Sequence, residues 1–287
     1  MTVAVGTSSG ALPIYVAMDQ GYFAEENLRV QTTTGASASA AIPQLINGQV
    51  QFIPSGIANV LQAVQQRLPV VVASSLTVNQ TTTDTKFAGF ITRSDSPVKS
   101  IVDLDGKTLA VNDVSPAGTF LSRAAFEAYG IQNANPKFLE VRPTEAIAAV
   151  KKGTADGVLL YQPILQQAMA DPKMKAVGFL DGKVLPGLIQ TAVITSRSFA
   201  NDHPEAASGF VKAITKACTY ISGHPDNAVR ILSDALKRPM NRADLPECPA
   251  TPMTITDLQN ATDTLRTYDV IKTKLDAADF ALAGTEK

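Results

Sequence analysis

The sequence predicts an α/β protein of two lobes, each a mostly parallel sheet flanked by helices, with a two-strand hinge. Three observations support this class. Apolar strand-like segments alternate with helical segments, the alternating series occurs twice along the chain, and 287 residues are enough for two intimate lobes. A fold of this class hosts unrelated functions, so function needs separate arguments.

The first unit of the repeat is a strand, a polar loop and a helix. The strand Thr2–Val5 leads into the Gly-bearing loop 6–10, and a helix is predicted over residues 13–23. Its second copy has the strand Thr108–Val111, the loop 112–118 and a helix over residues 119–129 that closes at Gly130.

The second unit of the repeat is a helix end, a glycine and a short strand. Residues 45–52 in the first copy correspond to residues 150–157 in the second. A polar turn follows each, at residues 54–56 and 161–163. Because ligands gather at the carboxyl ends of strands in open α/β sheets, the polar loops of both copies are predicted to surround a shared cleft.

Two extended segments connect the copies. Residues 87–93 are predicted to lead out of the first lobe, and residues 189–195 to return. Lobe 1 is therefore predicted as residues 1–92 and 194–287, and lobe 2 as residues 93–193.

The last third of the chain is predicted to be helical and to cover the outside of lobe 1. Asp202 and Pro204 open one helix, and a second covers residues 225–236. Residues 256–259 have the form of a capping box before a third.

Composition excludes several classes of protein. With 25 Lys+Arg and 26 Asp+Glu the net charge is −1, so no general field attracts nucleic acid or an anionic membrane. Hydrophobic residues make up 45% and charged residues 18%, which is typical of folded chains. The sequence begins at a strand-like segment without the apolar core of a secretory signal, so we expect that a natural leader has been removed.

Catalytic and metal-binding patterns are absent from the sequence. The two histidines, His203 and His224, both precede a proline and suit helix boundaries, which leaves no histidine for a Ser/His/Asp triad. Cys218 and Cys248 have no metal-ligand spacing. They are predicted either to form a disulfide, as in an exported protein, or to remain two buried thiols. We therefore expect no enzyme activity, no cofactor and no metal.

Several segments, taken in order, resemble the substrate-binding proteins for nitrate, sulfonates, taurine and thiamine precursors. The resemblance begins at residues 12–17, 21–23 and 26–30, passes Gly35, and continues through residues 45–52, 103–111, 151–157, 161–163 and 203–205. It implies the type II periplasmic-binding-protein fold, closure around a small ligand, and delivery to an ABC permease driven by a separate ATPase. It also implies an extracytoplasmic location, either periplasmic or lipid-anchored.

The chain departs from this family at several points. It has no tryptophan, so a Trp-lined pocket is excluded, and Gln51 replaces a frequent acid. Pro43 lies inside the helix expected after Gly35, which is therefore predicted to start late or to kink. The cysteine-rich motif of the fungal thiamine-pyrimidine synthases is missing.

Three predicted helix starts are candidates for binding an anion through backbone N–H groups. They lie at residues 37–39, 55–59 and 115–119, where small and hydroxyl side chains let a ligand approach. Ordinary helix capping is the alternative. The ligand-binding candidates here are Ser37, Ala38, Gly56, Ile57, Ala58, Asn59, Ser115, Ala117, Gly118 and Thr119.

Other candidates are side chains beside these loops. Arg142, at the end of a predicted strand, suits bidentate binding of a carboxylate or sulfonate, with a surface salt bridge as the alternative. Tyr161 offers an aromatic face, with a core or turn role as the alternative. The remaining candidates are Ser8, Ser9, Leu12, Gln162 and Gln190.

The predicted function is capture of a small organic anion, of sulfonate or carboxylate type, by a monomeric importer component that closes as a clamshell. Two alternatives remain open. The first is an enzyme on the same fold, of the menaquinone- or thiamine-pathway type, and the second is a ligand-sensing domain. The ligand itself is open among sulfonates, aromatic carboxylates, nitrate and thiamine precursors.

Overall fold

The computed structural model describes residues 1–6, 9–34, 38–82, 86–142, 145–162, 164–249 and 251–286. Its contacts divide the chain into two units. Unit 1 comprises Met1–Val78, Leu188–Thr267 and Ile271–Lys287, and unit 2 comprises Asn79–Gly187 and Tyr268–Val270.

Strands and helices alternate along the first two thirds of the chain, and helices dominate the last third. The strands are β1 (Thr2–Val5), β2 (Gln31–Thr34), β3 (Ile53–Gly56), β4 (Val70–Val78), β5 (Ala88–Arg93), β6 (Thr108–Val111), β7 (Lys137–Glu140), β8 (Gly157–Tyr161), β9 (Met174–Phe179) and β10 (Ile189–Ser196). The α-helices are α1 (Leu12–Asp19), α2 (Tyr22–Glu25), α3 (Ala38–Ile46), α4 (Ile57–Gln65), α5 (Pro116–Ala128), α6 (Ala146–Lys151), α7 (Ile164–Met169), α8 (Arg197–Asp202), α9 (Pro204–Gly223), α10 (Pro225–Leu236) and α11 (Ile255–Thr267).

The strands of unit 1 follow the order β2–β1–β3–β10–β4. β1 pairs in parallel with β2, and a parallel bridge from Val3 to Phe52 links β1 to the residue before β3. β10 lies between β3 and β4 and is antiparallel to both. The remaining strands of unit 1 therefore run in one direction.

Unit 2 has the equivalent order, β7–β6–β8–β5–β9. β6 is parallel to β7 and to β8, whereas β5 is antiparallel to β8 and to β9. In each unit, the antiparallel strand is the one reached from the other unit along the chain. Two mostly parallel sheets of the same topology confirm the predicted fold class.

The division into units differs from the boundaries drawn from the sequence. Pairing of β5 with β8 and β9 makes β5 part of unit 2, and pairing of β10 with β3 and β4 makes β10 part of unit 1. The chain consequently passes between units at 78/79 and 187/188, not at 92/93 and 193/194, and residues 268–270 also belong to unit 2.

The core of unit 1 lies between its strands and helices α1, α9 and α10. Phe52 stacks on Phe210 of α9 with ring centroids 3.9 Å apart, and Phe23 packs on the same ring. The helix α9 begins at Pro204, and one face of it is buried. The buried residues of that face include Phe210, Ala213, Ile214, Ala217, Cys218 and Ile221.

Unit 2 has its own apolar core. Ile91, Ala110 and Val158 contribute from the central strands. They pack with Val150 of α6 and Leu165 of α7, so the sheet is fixed independently of the polar loops at its strand ends.

Several local predictions need correction. The predicted helix 13–23 is two helices, because Gly21 adopts a φ of 75° between α1 and α2. Residues 54–56, predicted as a turn, belong to β3 because they pair with β10. The helix expected after Gly35 is α3, and Pro43 lies inside it as expected. The capping box of α11 is formed by Thr254 and Asp257, two residues earlier than predicted.

The tail helices belong to unit 1, and a disulfide links α9 to the segment that follows α10. Cys218 of α9 forms a disulfide with Cys248, across 5.3 Å between their Cα atoms. His203 and His224 each stand at a helix boundary, as predicted. Within the described ranges, no helix is both long and apolar enough to cross a membrane.

Candidate functional site

The start of α4 is the clearest ligand-binding candidate in unit 1. Gly56 ends β3 and precedes α4 with an extended conformation, φ −58° and ψ 137°. No side chain caps this helix start in the described part of the chain. Ile57 and Ala58 are buried and fix the helix on the sheet, while Asn59 is exposed. The first amides of α4 therefore remain available to an acceptor.

Gln190 lies beside this helix start as the extra residue of a β-bulge. The register of β10 on β4 passes from Ile189 opposite Val78 to Thr191 opposite Thr77, which leaves Gln190 unpaired in this ladder. A Cβ atom placed on Gly56 would lie 4.0 Å from both the Gln190 carbonyl oxygen and Asn59 Nδ2. Bulges redirect side chains and are frequent beside binding sites. The structure thus brings together Gly56, Asn59 and Gln190.

Two buried hydroxyl groups in the same sheet have no hydrogen-bond partner among the described residues. Ser55 is 3% exposed and Thr77 0% exposed. Thr77 faces Thr191, which in turn faces Gly56. A buried hydroxyl without a partner costs about 1–3 kcal/mol, so a water molecule or a ligand is expected to satisfy it.

Sequence reasoning placed Ser55 only within a helix start and missed Thr77. A signal for Thr77 was present. Ser74, Ser75 and Thr77 are hydroxyl residues within β4, which is otherwise apolar and is buried almost throughout. Hydroxyl residues in an apolar strand indicate a polar contact inside the sheet.

The remaining unit 1 candidates lie on three elements. Ser9 is buried at the start of the 3-10 helix Ser9–Ala11, and Leu12 is fully buried in the unit 1 core. Ala38 begins α3. Ser8 and Ser37 lie outside the described residues.

The loop before α5 in unit 2 is held by its own hydrogen bonds. Ser115 donates its backbone N–H to Asp113 Oδ1 at 2.7 Å and its hydroxyl to Asp113 Oδ2 at 2.8 Å. The Ser115 carbonyl accepts from the amides of Gly118 and Thr119 and from the Thr119 hydroxyl. Thr119 is fully buried and Ala117 is partly exposed. Sequence reasoning overlooked Asp113, which lies next to two of the predicted residues.

Tyr161 ends β8 and Gln162 directly follows it, also in unit 2. The Gln162 side chain donates to the Lys86 carbonyl at 2.9 Å and accepts from the Gln166 amide at 3.1 Å, so it caps α7. Tyr161 packs edge-on to Phe87 with centroids 6.2 Å apart, and burial raises the pKa of its hydroxyl. Both residues therefore have structural contacts of their own.

Arg142 is exposed beyond the end of β7. Its side chain is 82% exposed, and Nη1 lies 4.0 Å from Glu145 Oε1. Such a pair is worth little in water, so the guanidinium is not committed to the fold.

Two surface cavities on unit 1 are lined by none of the predicted ligand residues. One of about 390 Å³ is lined by Val70, Arg197 and Phe280, among others, and one of about 510 Å³ by Gln51, Ser196 and His203, among others. The described residues include no group of three or more His, Cys, Asp or Glu side chains that could hold a metal ion.

Comparison with known proteins covers most of the chain. A family model described as "NMT1/THI5 like" matches residues 9–228. The taurine-binding periplasmic protein of Escherichia coli is 25% identical over 230 residues, which is 79% of this chain and 68% of that protein. A putative thiamine biosynthesis protein of Haemophilus influenzae is 22% identical over 235 residues, 80% and 72% of the two chains.

Solved structures resemble the whole fold. The aliphatic sulphonate-binding protein SsuA of Escherichia coli has a TM-score of 0.76 and 15% identity, covering 98% of this chain and 97% of that one. The periplasmic nitrate-binding protein NrtA of Synechocystis PCC 6803 has a TM-score of 0.69 and 14% identity, covering 100% and 85%. At these identities the likeness shows a shared fold.

Proposed function

The chain belongs to the NMT1/THI5-like family, and we propose from this premise that it is the extracytoplasmic solute-binding component of an ABC importer. Its ligand is a small organic anion of sulfonate or carboxylate type. Its partners are a membrane permease and an ATPase, and it works as a monomer without a cofactor. The taurine-binding relative and the sulfonate- and nitrate-binding structural neighbours support this assignment.

The proposed ligand class rests on hydrogen-bond donors of unit 1 that have no acceptor among the described residues. The uncapped start of α4 lies next in the chain to the Ser55 hydroxyl, which has no partner among the described residues. Amides at a helix start favour an anion, because they donate and carry a partial positive charge. The proposed mechanism is capture of the ligand by clamshell closure.

An enzyme is the second candidate, since one relative is named a putative thiamine biosynthesis protein. The two candidates differ in what happens to the ligand. A binding component releases it unchanged, whereas an enzyme releases a product.

Calorimetric titration tests the proposal with four anions: 2-aminoethanesulfonate, butanesulfonate, benzoate and nitrate. We expect saturable binding of at least one organic anion. Ser55→Ala is expected to weaken that binding without destabilising the free protein, because it removes an unsatisfied group. Ser222→Ala is the matched control, since Ser222 donates to the Cys218 carbonyl in α9. Absence of binding across the panel would exclude the proposed function.

Arg142 is tested in the same titration. Its exposed guanidinium is proposed to contact the ligand from unit 2. If Arg142→Ala leaves the affinity unchanged, the proposed role of this residue is wrong.

A further inference from the structure

The sheet of unit 2 has cationic side chains along one edge, at or near the end of each of its five strands. β6, β7 and β8 are parallel and begin at this edge, whereas β5 ends there and β9, antiparallel to β5, begins there. We define this basic edge as residues 93–108, 133–137, 151–157 and 171–175. Its eight cationic residues are Arg93, Lys99, Lys107, Lys137, Lys151, Lys152, Lys173 and Lys175.

Backbone pairing holds the segments of the basic edge side by side. Lys137 donates its amide to the Lys107 carbonyl at 2.8 Å, and Arg93 lies opposite Met174 in the pairing of β5 with β9. A Cβ atom on Gly153 would lie 2.8 Å from Arg93 Nη1, so the loop before β8 contacts the end of β5. Because neighbouring strands lie about 4.8 Å apart, the five strands spread the cations over about 19 Å.

The acidic side chains of the basic edge are engaged in contacts of the fold. The edge contains five Asp residues against its eight cations, so its net charge is +3. Two of these carboxylates pair with a cation of the edge, and three accept a backbone amide of the same unit. In that order, they are Asp95, Asp171, Asp103, Asp105 and Asp156.

Three lysines of the basic edge have charges that the fold does not use. Lys107, Lys137 and Lys152 are exposed, and their ammonium groups form no hydrogen bond or ion pair with any described residue. Like charges in one row repel each other, and an anionic partner relieves that repulsion. The edge therefore attracts negative charge, although the whole chain has a net charge of −1.

The chemistry of the basic edge fits a layer of phosphate groups better than it fits a protein. Seven of its eight cations are Lys, which acts as a flexible point charge, whereas Arg forms the paired hydrogen bonds that recognise a single carboxylate. Protein interfaces are centred on aromatic and apolar side chains. The large hydrophobic residues that are exposed in the described chain, Met18 and Val114, lie outside this edge.

We propose that the basic edge binds the surface of a membrane that contains anionic phospholipids. Each Lys near such a surface adds to the attraction, and several together hold a protein against the headgroups. Since the chain has a net charge of −1 and the edge one of +3, the other residues have a net charge of −4 and are repelled. The chain therefore binds with this edge toward the lipid. This inference goes beyond the proposed function, because it depends neither on the ligand nor on the permease.

Cosedimentation with lipid vesicles tests the proposal. One preparation contains phosphatidylglycerol and phosphatidylcholine in equal amounts, and the other contains phosphatidylcholine alone. At an ionic strength of about 0.01 M, where charges act over about 30 Å, we expect the wild-type protein to bind the anionic vesicles and not the neutral ones. At about 1 M salt, where this range falls to about 3 Å, we expect the binding to be lost.

Charge reversals locate the surface that binds. The variant with Lys107→Glu, Lys137→Glu and Lys152→Glu is expected to bind anionic vesicles at least about tenfold more weakly, because three attractive charges become repulsive. The matched control has the same net charge and is expected to keep the wild-type affinity. It reverses three exposed lysines of unit 1, through Lys212→Glu, Lys272→Glu and Lys274→Glu.

Three results overturn the proposal. The first is a wild-type protein that binds anionic vesicles no better than neutral ones at low ionic strength, and this arm needs no variant to fold. The second is an equal loss of binding in the two triple variants. The third is binding to polyglutamate without binding to anionic vesicles, which assigns the edge to an acidic protein. The vesicle assay contains no small organic anion, so each of these results leaves the proposed function intact.

Discussion

Gly118, in the first turn of α5, packs closely against Asp113 of the preceding loop. A Cβ atom there would lie 2.1 Å from the Asp113 carbonyl oxygen and 2.7 Å from Asp113 Cβ, both shorter than any relaxed contact. We expect Gly118→Ala to lower the free energy of unfolding by about 1–3 kcal/mol, as overpacked sites do, measured by urea denaturation.

The control for this prediction is Gly223→Ala. An added Cβ at Gly223, the last residue of α9, meets nothing within 4 Å. That variant is expected to be neutral or slightly stabilising. Equal stability of the two alanine variants would show that the loop relaxes freely.

Residue-level roles were the part of the site that the sequence predicted least well. The spacing of Ser, Gly and Asn located the α4 and α5 starts, because those residue types mark helix starts everywhere. It could not show that Ser115 is engaged by Asp113 or that Gln162 caps α7, since both depend on hydrogen-bond geometry. Gln190 was predicted, but its position in a bulge depends on strand register.

The capping box of α11 shows how precisely the sequence locates the start of a helix. Thr254 Oγ1 accepts the Asp257 amide at 3.1 Å, and Asp257 Oδ2 accepts the Thr254 amide at 2.8 Å. We expect Thr254→Ala to cost about 1 kcal/mol of stability, the usual value of a helix cap.

Thr256→Ala serves as the comparison, because Thr256 is the residue that the sequence predicted as the cap. It is exposed, and a change within about 0.5 kcal/mol is expected. If Thr256→Ala lowers the midpoint of thermal denaturation more than Thr254→Ala does, Thr256 is the cap. A two-residue error arises here because both threonines precede an acceptable partner three residues later.

The disulfide between Cys218 and Cys248 connects two buried points of unit 1. It closes a segment with a sequence separation of 30 residues, which includes all of α10. Because cross-linking restricts the unfolded chain, reduction is expected to lower the free energy of unfolding by about 3–4 kcal/mol. Thermal denaturation with and without reductant measures this, and an unchanged midpoint in protein shown to be fully reduced would contradict it.

At the scale of the whole molecule, the repeat was the most informative feature of the sequence. Two series of strand, loop and helix predicted two sheets of one type, and both units have the same strand order. The boundaries were displaced because β5 and β10 each insert into the sheet of the unit that the chain enters. Strand periodicity shows that a segment is extended, whereas it carries no information on which strands pair with it.

The central claim is that the chain binds a small organic anion and releases it unchanged. Native mass spectrometry of the protein with 2-aminoethanesulfonate, butanesulfonate or benzoate tests it most directly. We expect one ligand per chain for at least one compound, and recovery of that compound with its original mass after the protein is denatured. A chain that retains none of them, or that returns a chemically altered product, would contradict the claim.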